Sequence, residues 1–224
     1  MIFSAFSRAI AQLPDPAFRS VLLRALAMTI VLFIALYVGA DYGVGYIEVA
    51  DDGWFLNALA RVAAMGTFLI ILLLLFPAIA SFFIAWFLDD IAEAVERRYY
   101  PNDPPGQSAA LGPSLAVAFR FTVILIVLNV FLLVFLIIPP IYPLVYYVVN
   151  GYLLSREYFE LVSLRHNDPK TIRALRRTGT TRLVTAGIVI AFFMTIPLVN
   201  LVAPLVATAV MVHLFKAMQA RSAA

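Results

Sequence analysis

The chain has 224 residues, of which 63% are hydrophobic and only 13% are charged, and its mean hydropathy is +0.96. A soluble globular domain carries about 25% charged residues, so this composition predicts an integral membrane protein. The net charge is +3, and the absence of cysteine excludes disulfides, thiol catalysis and cysteine-based metal sites.

An amphipathic segment opens the chain. Residues 1–14 place apolar side chains at helical spacing opposite polar ones, which predicts a short helix on the bilayer surface. Asp15 and Pro16 then form a helix start, because Asp15 can cap the helix and proline fits the first helical position. From there we expect a first membrane span over 16–40, with Arg24 extending its side chain toward the interface.

A second span with a cytoplasmic extension is predicted over 54–98. It contains 27 uncharged residues, 62–88, which are enough to cross the membrane with tilt. Pro77 should kink this helix. The charged residues that follow keep helical spacing, so we expect the helix to continue out of the membrane until YYPNDPPG ends it.

Two later apolar stretches are interrupted by prolines. The first, 121–155, has 35 uncharged residues and is broken at IPPIYP, and the second is broken at IPLVNLVAP. Most of the resulting arms are too short to cross a hydrocarbon core of about 30 Å, although the arm 121–138 could almost do so. Both stretches therefore predict hairpins that enter the membrane and return, over 114–160 and 182–218.

The distribution of basic residues favours this topology, because cytoplasmic loops collect Lys and Arg. With two returning hairpins, fifteen of the sixteen Lys and Arg residues fall on one side, and only Arg61 lies on the other. If each broken stretch crossed the membrane only once, seven basic residues would instead lie on the same side as Asp51 and Asp52. We therefore expect both termini in the cytoplasm.

The paired helix breaks are one candidate site. Helices that begin near Ile141 and Leu201 would point their positive N-terminal ends into the bilayer, where they could hold an anion. Asn200 adds a neutral donor beside the second break. The alternative is that the prolines only turn the chain and that Asn200 caps a helix. The repetition of the pattern favours a function.

Two arginines near the start of the first span are a second candidate. The planar fork of Arg19 or Arg24 could donate two parallel hydrogen bonds to a doubly charged oxyanion. Both arginines could instead anchor the helix to lipid headgroups. Asp15 would also repel an anion at this helix end.

A third candidate is a basic surface helix predicted over 169–178, which begins at Asp168 and Pro169. Arg173 and Arg177 share a face of this helix with Lys170. That face could concentrate anions near a pore mouth, or it could rest on anionic lipid.

Two acidic residues precede this helix. Glu157 and Glu160 lie near the end of the first hairpin and could pair with Arg156 or Arg165. The result would be either a charge network beside the basic helix or a solvated helix end, and the residues leave both interpretations open.

Several segments carry a resemblance to a known family. IIPPIYPLVYYVVNGYLLSREYFELVSLRH and IPLVNLVAPLVATA are similar to its two proline-broken hairpins, and Arg173, Arg176 and Arg177 match a basic run that it carries. DPAFRSVLLRAL resembles its N-terminal Pro-Gly-x-basic-Arg segment. On these motifs the chain resembles the CysZ-type sulfate permease family of bacterial inner membranes.

This resemblance implies an all-α integral membrane protein with two long transmembrane helices and two hemi-penetrating hairpins, preceded here by the amphipathic N-terminal helix. It also implies a homo-oligomer, and it places Arg19 at the position of an arginine linked to sulfate binding. The chain departs from the family pattern at Ala17 and Phe18, where glycine and a second basic residue are usual, and at Asp89 and Asp90, where Asn-Gly is common.

We therefore expect an inner-membrane permease or channel that takes up sulfate or a similar oxyanion for cytoplasmic sulfate assimilation. The chain has no phosphate-binding glycine loop, GxSxG or HExxH motif, so we expect no enzyme activity, no ATP hydrolysis by this chain and no cofactor or metal. The +3 charge is explained by membrane orientation, so nucleic acid is not an expected partner. The alternative is a non-transporting membrane protein whose hairpins shape the bilayer or scaffold partners.

Overall fold

The structure is a computed structural model, and it describes residues 1–44, 53–107, 123, 126–128, 130–135 and 137–222. All elements in these ranges are helical, which confirms the predicted all-α class. We number the helices α1 Ile2–Ala11, α2 Pro16–Val44, α3 Trp54–Trp86, α4 Leu88–Tyr99, α5 Tyr142–Ser163, α6 Pro169–Met194, α7 Pro197–Asn200 and α8 Ala203–Ser222.

The first arm of the predicted hairpin 114–160 lies largely outside the described residues. Within it, the described part of Ile126–Phe135 is helical. The break that follows it is fully described, and so is the second arm.

Three of the described helices are long and apolar enough to cross a membrane, over Pro16–Gly43, Trp54–Trp86 and Ala203–Arg221. The first two, in α2 and α3, pack along each other but leave many large apolar side chains exposed, as helices that face lipid do. The third, in α8, is mostly buried inside the molecule. These helices agree with the membrane protein that the composition predicts.

The core of the protein is built around α8. Helices α1, α4, α5 and α6 all pack against it, and its Met211, Leu214 and Phe215 are fully buried. Helix α1 contributes Phe6 and Ala9 to this core. The apolar face of the predicted surface helix 1–14 is therefore partly covered by protein.

The predicted helix 54–98 is divided into two at Phe87. There the amide of Phe87 donates to the carbonyl of Ile84 at 2.9 Å, and α4 begins at the next residue. Helix α4 then packs against α8 and α2 instead of extending straight from α3. Helix α4 packs in this way because it carries a buried apolar stripe at helical spacing: Leu88, Ile91, Ala92 and Val95.

The two proline-rich stretches interrupt the helices at the predicted places. Residues 137–141 form turns before α5, and Pro143 lies in the first turn of that helix. The second break includes the short helix α7. Helix α6 joins the predicted basic helix 169–178 to the first arm of the predicted hairpin 182–218, because no proline occurs between Pro169 and Pro197. How deep both breaks lie in the membrane stays a prediction.

Candidate anion site

Two polar stripes face each other across the packed pair α5 and α6. The stripe on α6 recurs at intervals of three and four residues, which places its members on one helix face: Arg173, Arg176, Arg177 and Thr180. The stripe on α5 recurs in the same way: Tyr152, Ser155, Arg156 and Glu160.

A cavity of about 330 Å³ lies between these stripes. Leu183 and Val184 complete its lining, together with the eight polar and charged residues of the two stripes. Because four guanidinium groups are opposed by one carboxylate, the charge of the lining is +3. A water molecule occupies about 30 Å³ in the liquid, so the cavity has room for a tetrahedral oxyanion and several waters.

The four arginines of the cavity differ in burial. The side chains of Arg173 and Arg177 are exposed, that of Arg176 is 20% exposed, and that of Arg156 is only 6% exposed. An ion that enters from solvent would therefore meet Arg173 and Arg177 first and Arg156 last. Coulomb attraction becomes stronger as water is excluded, so the charges of the inner arginines are screened less than those of Arg173 and Arg177.

Glu160 joins the two inner arginines. Its Oε1 accepts a hydrogen bond from Nε of Arg156 at 3.1 Å and another from Nη1 of Arg176. The Glu160 side chain is 11% exposed, and a carboxylate at such depth requires charged partners. The two ion pairs therefore keep Glu160 inside the cavity.

Residues 5–204 match the family described as sulfate transporter CysZ/etoposide-induced protein 2.4. The chain belongs to this family. No curated protein matches it. Membership covers most of the chain, including α5 and α6 with the arginine-lined cavity.

Three predicted residues of this CysZ-family chain come together in the cavity: Glu160, Arg173 and Arg177. Glu157 is exposed on α5 and does not line it. Arg156 and Arg176 also line the cavity and were not among the predicted site residues, although their helical spacing to Glu160 and Arg173 was a signal for them.

Arg24 lies elsewhere in the structure. Its guanidinium is 3.4 Å from Oδ2 of Asp90 and 3.1 Å from Oγ of Ser20, and it lies over the ring of Phe87. A small cavity beside it also contains Glu93. The positive charge of Arg24 is therefore offset by nearby carboxylates, so this position attracts anions less than the arginine-lined cavity does.

Arg19 and Asn200 do not line the arginine-lined cavity either. Arg19 is exposed in the first turns of α2, and Asp15 before it forms an ion pair with Arg98. Asn200 ends α7 and is half-buried. The three residues predicted to bind the anion directly are thus not part of one site with the basic stripe.

A second charge network lies between α4 and the turn that joins α5 to α6. Arg165 is buried in this turn and contacts Glu96 at 3.5 Å and Asp89 at 3.3 Å. Nε2 of His166 lies 2.7 Å from Glu96. The sequence left open a pairing of Arg165 with Glu157 or Glu160, but the packing of α4 brings Glu96 and Asp89 to it instead.

This second network affects the ionisation of Glu96, which lies outside the three candidate spans. Burial alone would raise the pKa of the Glu96 carboxyl, but the hydrogen bond from His166 and the positive charge of Arg165 outweigh it. The pKa of Glu96 therefore lies below its ordinary value of 4.5. The network ties α4 to the turn that joins the two helices of the cavity.

Metal binding has no visible basis in the part of the chain that the structure describes. There, no three side chains of His, Asp or Glu come together as a group that could hold an ion. The arginine-lined cavity instead offers hydrogen-bond donors, which are suited to oxyanions.

Proposed function

We propose that this chain is a membrane permease that conducts sulfate, or a similar doubly charged oxyanion, into the cytoplasm of a bacterium for sulfate assimilation. The observation that carries the proposal is the cavity between α5 and α6, with its four arginines and one glutamate. Membership in the family described as sulfate transporter CysZ/etoposide-induced protein 2.4 supports the choice of sulfate.

The chemistry of the cavity suits such an ion. Each guanidinium carries five N–H donors in a planar fork, and sulfate offers four acceptor oxygens with two negative charges. A hydrogen bond to a charged group contributes about 1.5–3 kcal/mol, so a few of them retain the ion without trapping it. Conduction requires this balance, because an ion that binds too tightly does not leave.

The membrane arrangement belongs to the same proposal. Helices α2 and α3 cross the bilayer, and the two proline-broken segments enter it from the cytoplasmic side and return. The basic mouth formed by Arg173 and Arg177 then faces the cytoplasm, as the concentration of Lys and Arg on one side predicts. Short hairpins in one small subunit do not easily enclose a pore, so the working unit is a homo-oligomer.

The residues predicted at the start of α2 and in the second break have secondary roles in this proposal. Arg19, exposed on α2, attracts the anion from solvent. Arg24 exchanges Asp90 for the passing ion, and Asn200 donates a neutral hydrogen bond near the break. None of these roles requires ATP or a cofactor.

Transport in proteoliposomes tests the proposal. The purified chain should take up radiolabelled sulfate well above the level of protein-free liposomes. The double substitution Arg173→Gln and Arg177→Gln should lower initial uptake by about tenfold or more, because it removes two charged donors that each contribute about 1.5–3 kcal/mol.

The matched control is Arg221→Gln, which removes an exposed arginine in the last turn of α8 that lines neither the arginine-lined cavity nor the cavity beside Arg24. It should leave uptake close to that of the original chain. A folded protein whose sulfate uptake equals that of empty liposomes would contradict the permease and favour a structural role in the membrane.

A further inference from the structure

The arginine-lined cavity contains a negatively charged side chain of the protein itself. Glu160 is the single acidic residue among the ten that line it, and its Oε1 accepts hydrogen bonds from both Arg156 and Arg176. These are the two most buried of the four arginines. In the structure, the inner half of the cavity is therefore already neutralised in part by a carboxylate of the protein.

We infer that Glu160 is an internal competitor for the transported oxyanion. It occupies the inner arginines when the cavity holds no substrate, and the incoming ion displaces it from Arg176. This inference rests on the proposed function, since it assigns a role to one residue of the proposed site.

The order of burial supports this role. Arg176, at 20% exposure, is intermediate between Arg156, at 6%, and the exposed mouth at Arg173 and Arg177, so an ion that moves between the inner arginines and the mouth passes Arg176. Arg176 donates to Glu160 through Nη1, so the ion must compete with this carboxylate for the same guanidinium. The exchange of Glu160 for the oxyanion therefore takes place at the hydrogen bond from Nη1 of Arg176.

Charge explains why a doubly charged ion can win this competition. At equal distance, an ion of charge −2 is attracted twice as strongly as a carboxylate of charge −1. Chloride has no such advantage over Glu160. The carboxylate thereby disfavours singly charged anions at the inner arginines, which gives the cavity a preference for dianions.

The return of Glu160 to Arg176 also promotes release. The free energy spent on displacing the carboxylate is subtracted from the affinity for the ion and is recovered when the ion leaves. A site without this competitor would bind more tightly and conduct more slowly.

The test compares Glu160→Gln with the original chain, using sulfate in a buffer whose other anion is gluconate. Sulfate should bind to the variant about tenfold more tightly or better, which is a change of about 1.4 kcal/mol or more, and the maximal rate of sulfate uptake should fall. Adding chloride should weaken sulfate binding to the variant more than it weakens binding to the original chain.

Two further variants separate charge from position. Glu160→Asp keeps the charge and should bind sulfate with nearly the original affinity. Glu157→Gln removes a carboxylate only three residues away, but this one is exposed and lies outside the cavity. It should change neither affinity nor uptake, because the Glu157 side chain does not line the cavity.

A loss of stability would not prevent the test. Glu160→Gln leaves the buried Arg156 without this carboxylate, so the variant is expected to melt at a lower temperature. Sulfate should then raise the melting temperature of the variant more than that of the original chain, since stabilisation by a ligand grows with its affinity.

The outcomes are distinguishable. If the original chain binds and transports sulfate but Glu160→Gln binds it no more tightly, the competitor role of Glu160 is wrong and the proposed permease function is retained. If the original chain neither binds nor transports sulfate, both proposals fail.

Discussion

A β-carbon on Gly187 would collide with the carbonyl oxygen of Gly151 and would lie 2.8 Å from its carbonyl carbon. Helices α5 and α6 therefore meet backbone to backbone at this crossing. The two stripes that form the arginine-lined cavity extend from the same pair of helices, so their separation depends on how closely the two backbones approach.

Gly187→Ala should destabilise the protein and impair the cavity. The added methyl group meets backbone atoms of α5 and the β-carbon of Ser155 at 2.8 Å, and backbone cannot rotate away. The helices must separate, at a cost of about 1–3 kcal/mol, as is typical of overpacking. A thermal melt in detergent and a sulfate-binding measurement should both show the loss.

Two other glycines provide graded controls. At Gly66 in α3, no atom of the described residues beyond its chain neighbours and nearby helix backbone lies within 4 Å of the new β-carbon, so Gly66→Ala should be neutral or slightly stabilising. At Gly179 the neighbour is the end of the Met218 side chain, which can move. Gly179→Ala should therefore cost less than Gly187→Ala, and equal losses at both positions would contradict the backbone contact.

Removal of Arg165 should be strongly destabilising. Its side chain is 4% exposed and contacts both Glu96 and Asp89. Removing one member of a buried ion pair costs about 3–5 kcal/mol, so Arg165→Gln should give a large decrease in melting temperature or prevent folding.

Arg97→Gln is the control variant for Arg165→Gln. Arg97 contacts Glu93 at 3.7 Å, but both side chains are more than half exposed, and exposed ion pairs contribute little. The melting temperature should barely change. A similar decrease for both variants would show that burial of Arg165 is not the cause.

Stability should fall in acid because of Glu96. Its carboxyl pKa is depressed in the folded protein, so the ionised carboxylate stabilises the fold fully above its ordinary pKa of 4.5. That stabilisation is lost as the pH falls below this value and through the folded pKa. Melting temperatures measured from about pH 6 down to about pH 3 should show the decrease.

Glu96→Gln removes this titrating group. The variant should be less stable at neutral pH, since His166 and Arg165 lose the Glu96 carboxylate and Arg165 keeps its contact with Asp89. Its melting temperature should depend less on pH in the same acidic range. An unchanged acid dependence in the variant would assign the effect to other carboxylates.

Single cysteines can report the membrane arrangement, because the chain has none of its own. With two returning hairpins, an impermeant thiol reagent should label Lys170→Cys from the cytoplasmic face and Trp54→Cys from the opposite face. Ile141→Cys and Leu198→Cys, at the two breaks, should be labelled from neither face, since this topology would place both within the hydrocarbon core.

The result for the two breaks decides the topology. If Ile141→Cys and Leu198→Cys react from the same face as Trp54→Cys, the segments cross the membrane completely. The proposed cytoplasmic position of the basic mouth would be wrong if Lys170→Cys reacted from the same face as Trp54→Cys.

Much of the fold follows from local properties of the sequence. Hydrophobic composition predicts the membrane helices, and the prolines at 139, 140 and 197 predict where helices are interrupted, because proline lacks an N–H donor at whatever depth it lies. Helical spacing also places Arg173 and Arg177 on one face. These features need no knowledge of distant residues.

The partners of the charged residues were less predictable. Glu160 pairs with Arg156, four residues earlier, which spacing on one helix allows. Arg165, however, pairs with Glu96 and Asp89, about seventy residues away in sequence. Residues 54–98 were predicted to form one helix, and such a helix would not bring the α4 segment to this turn.

The sequence by itself determined a helical membrane protein with interrupted helices and a basic stripe, since hydrophobicity, proline geometry and helical periodicity act within one segment. Only the tertiary structure decided that the stripe forms a cavity around Glu160. That outcome depends on which faces of α5 and α6 meet, and on the close approach that Gly151 and Gly187 permit. Periodicity defines the faces of each helix, but packing between distant segments selects the pair that comes together.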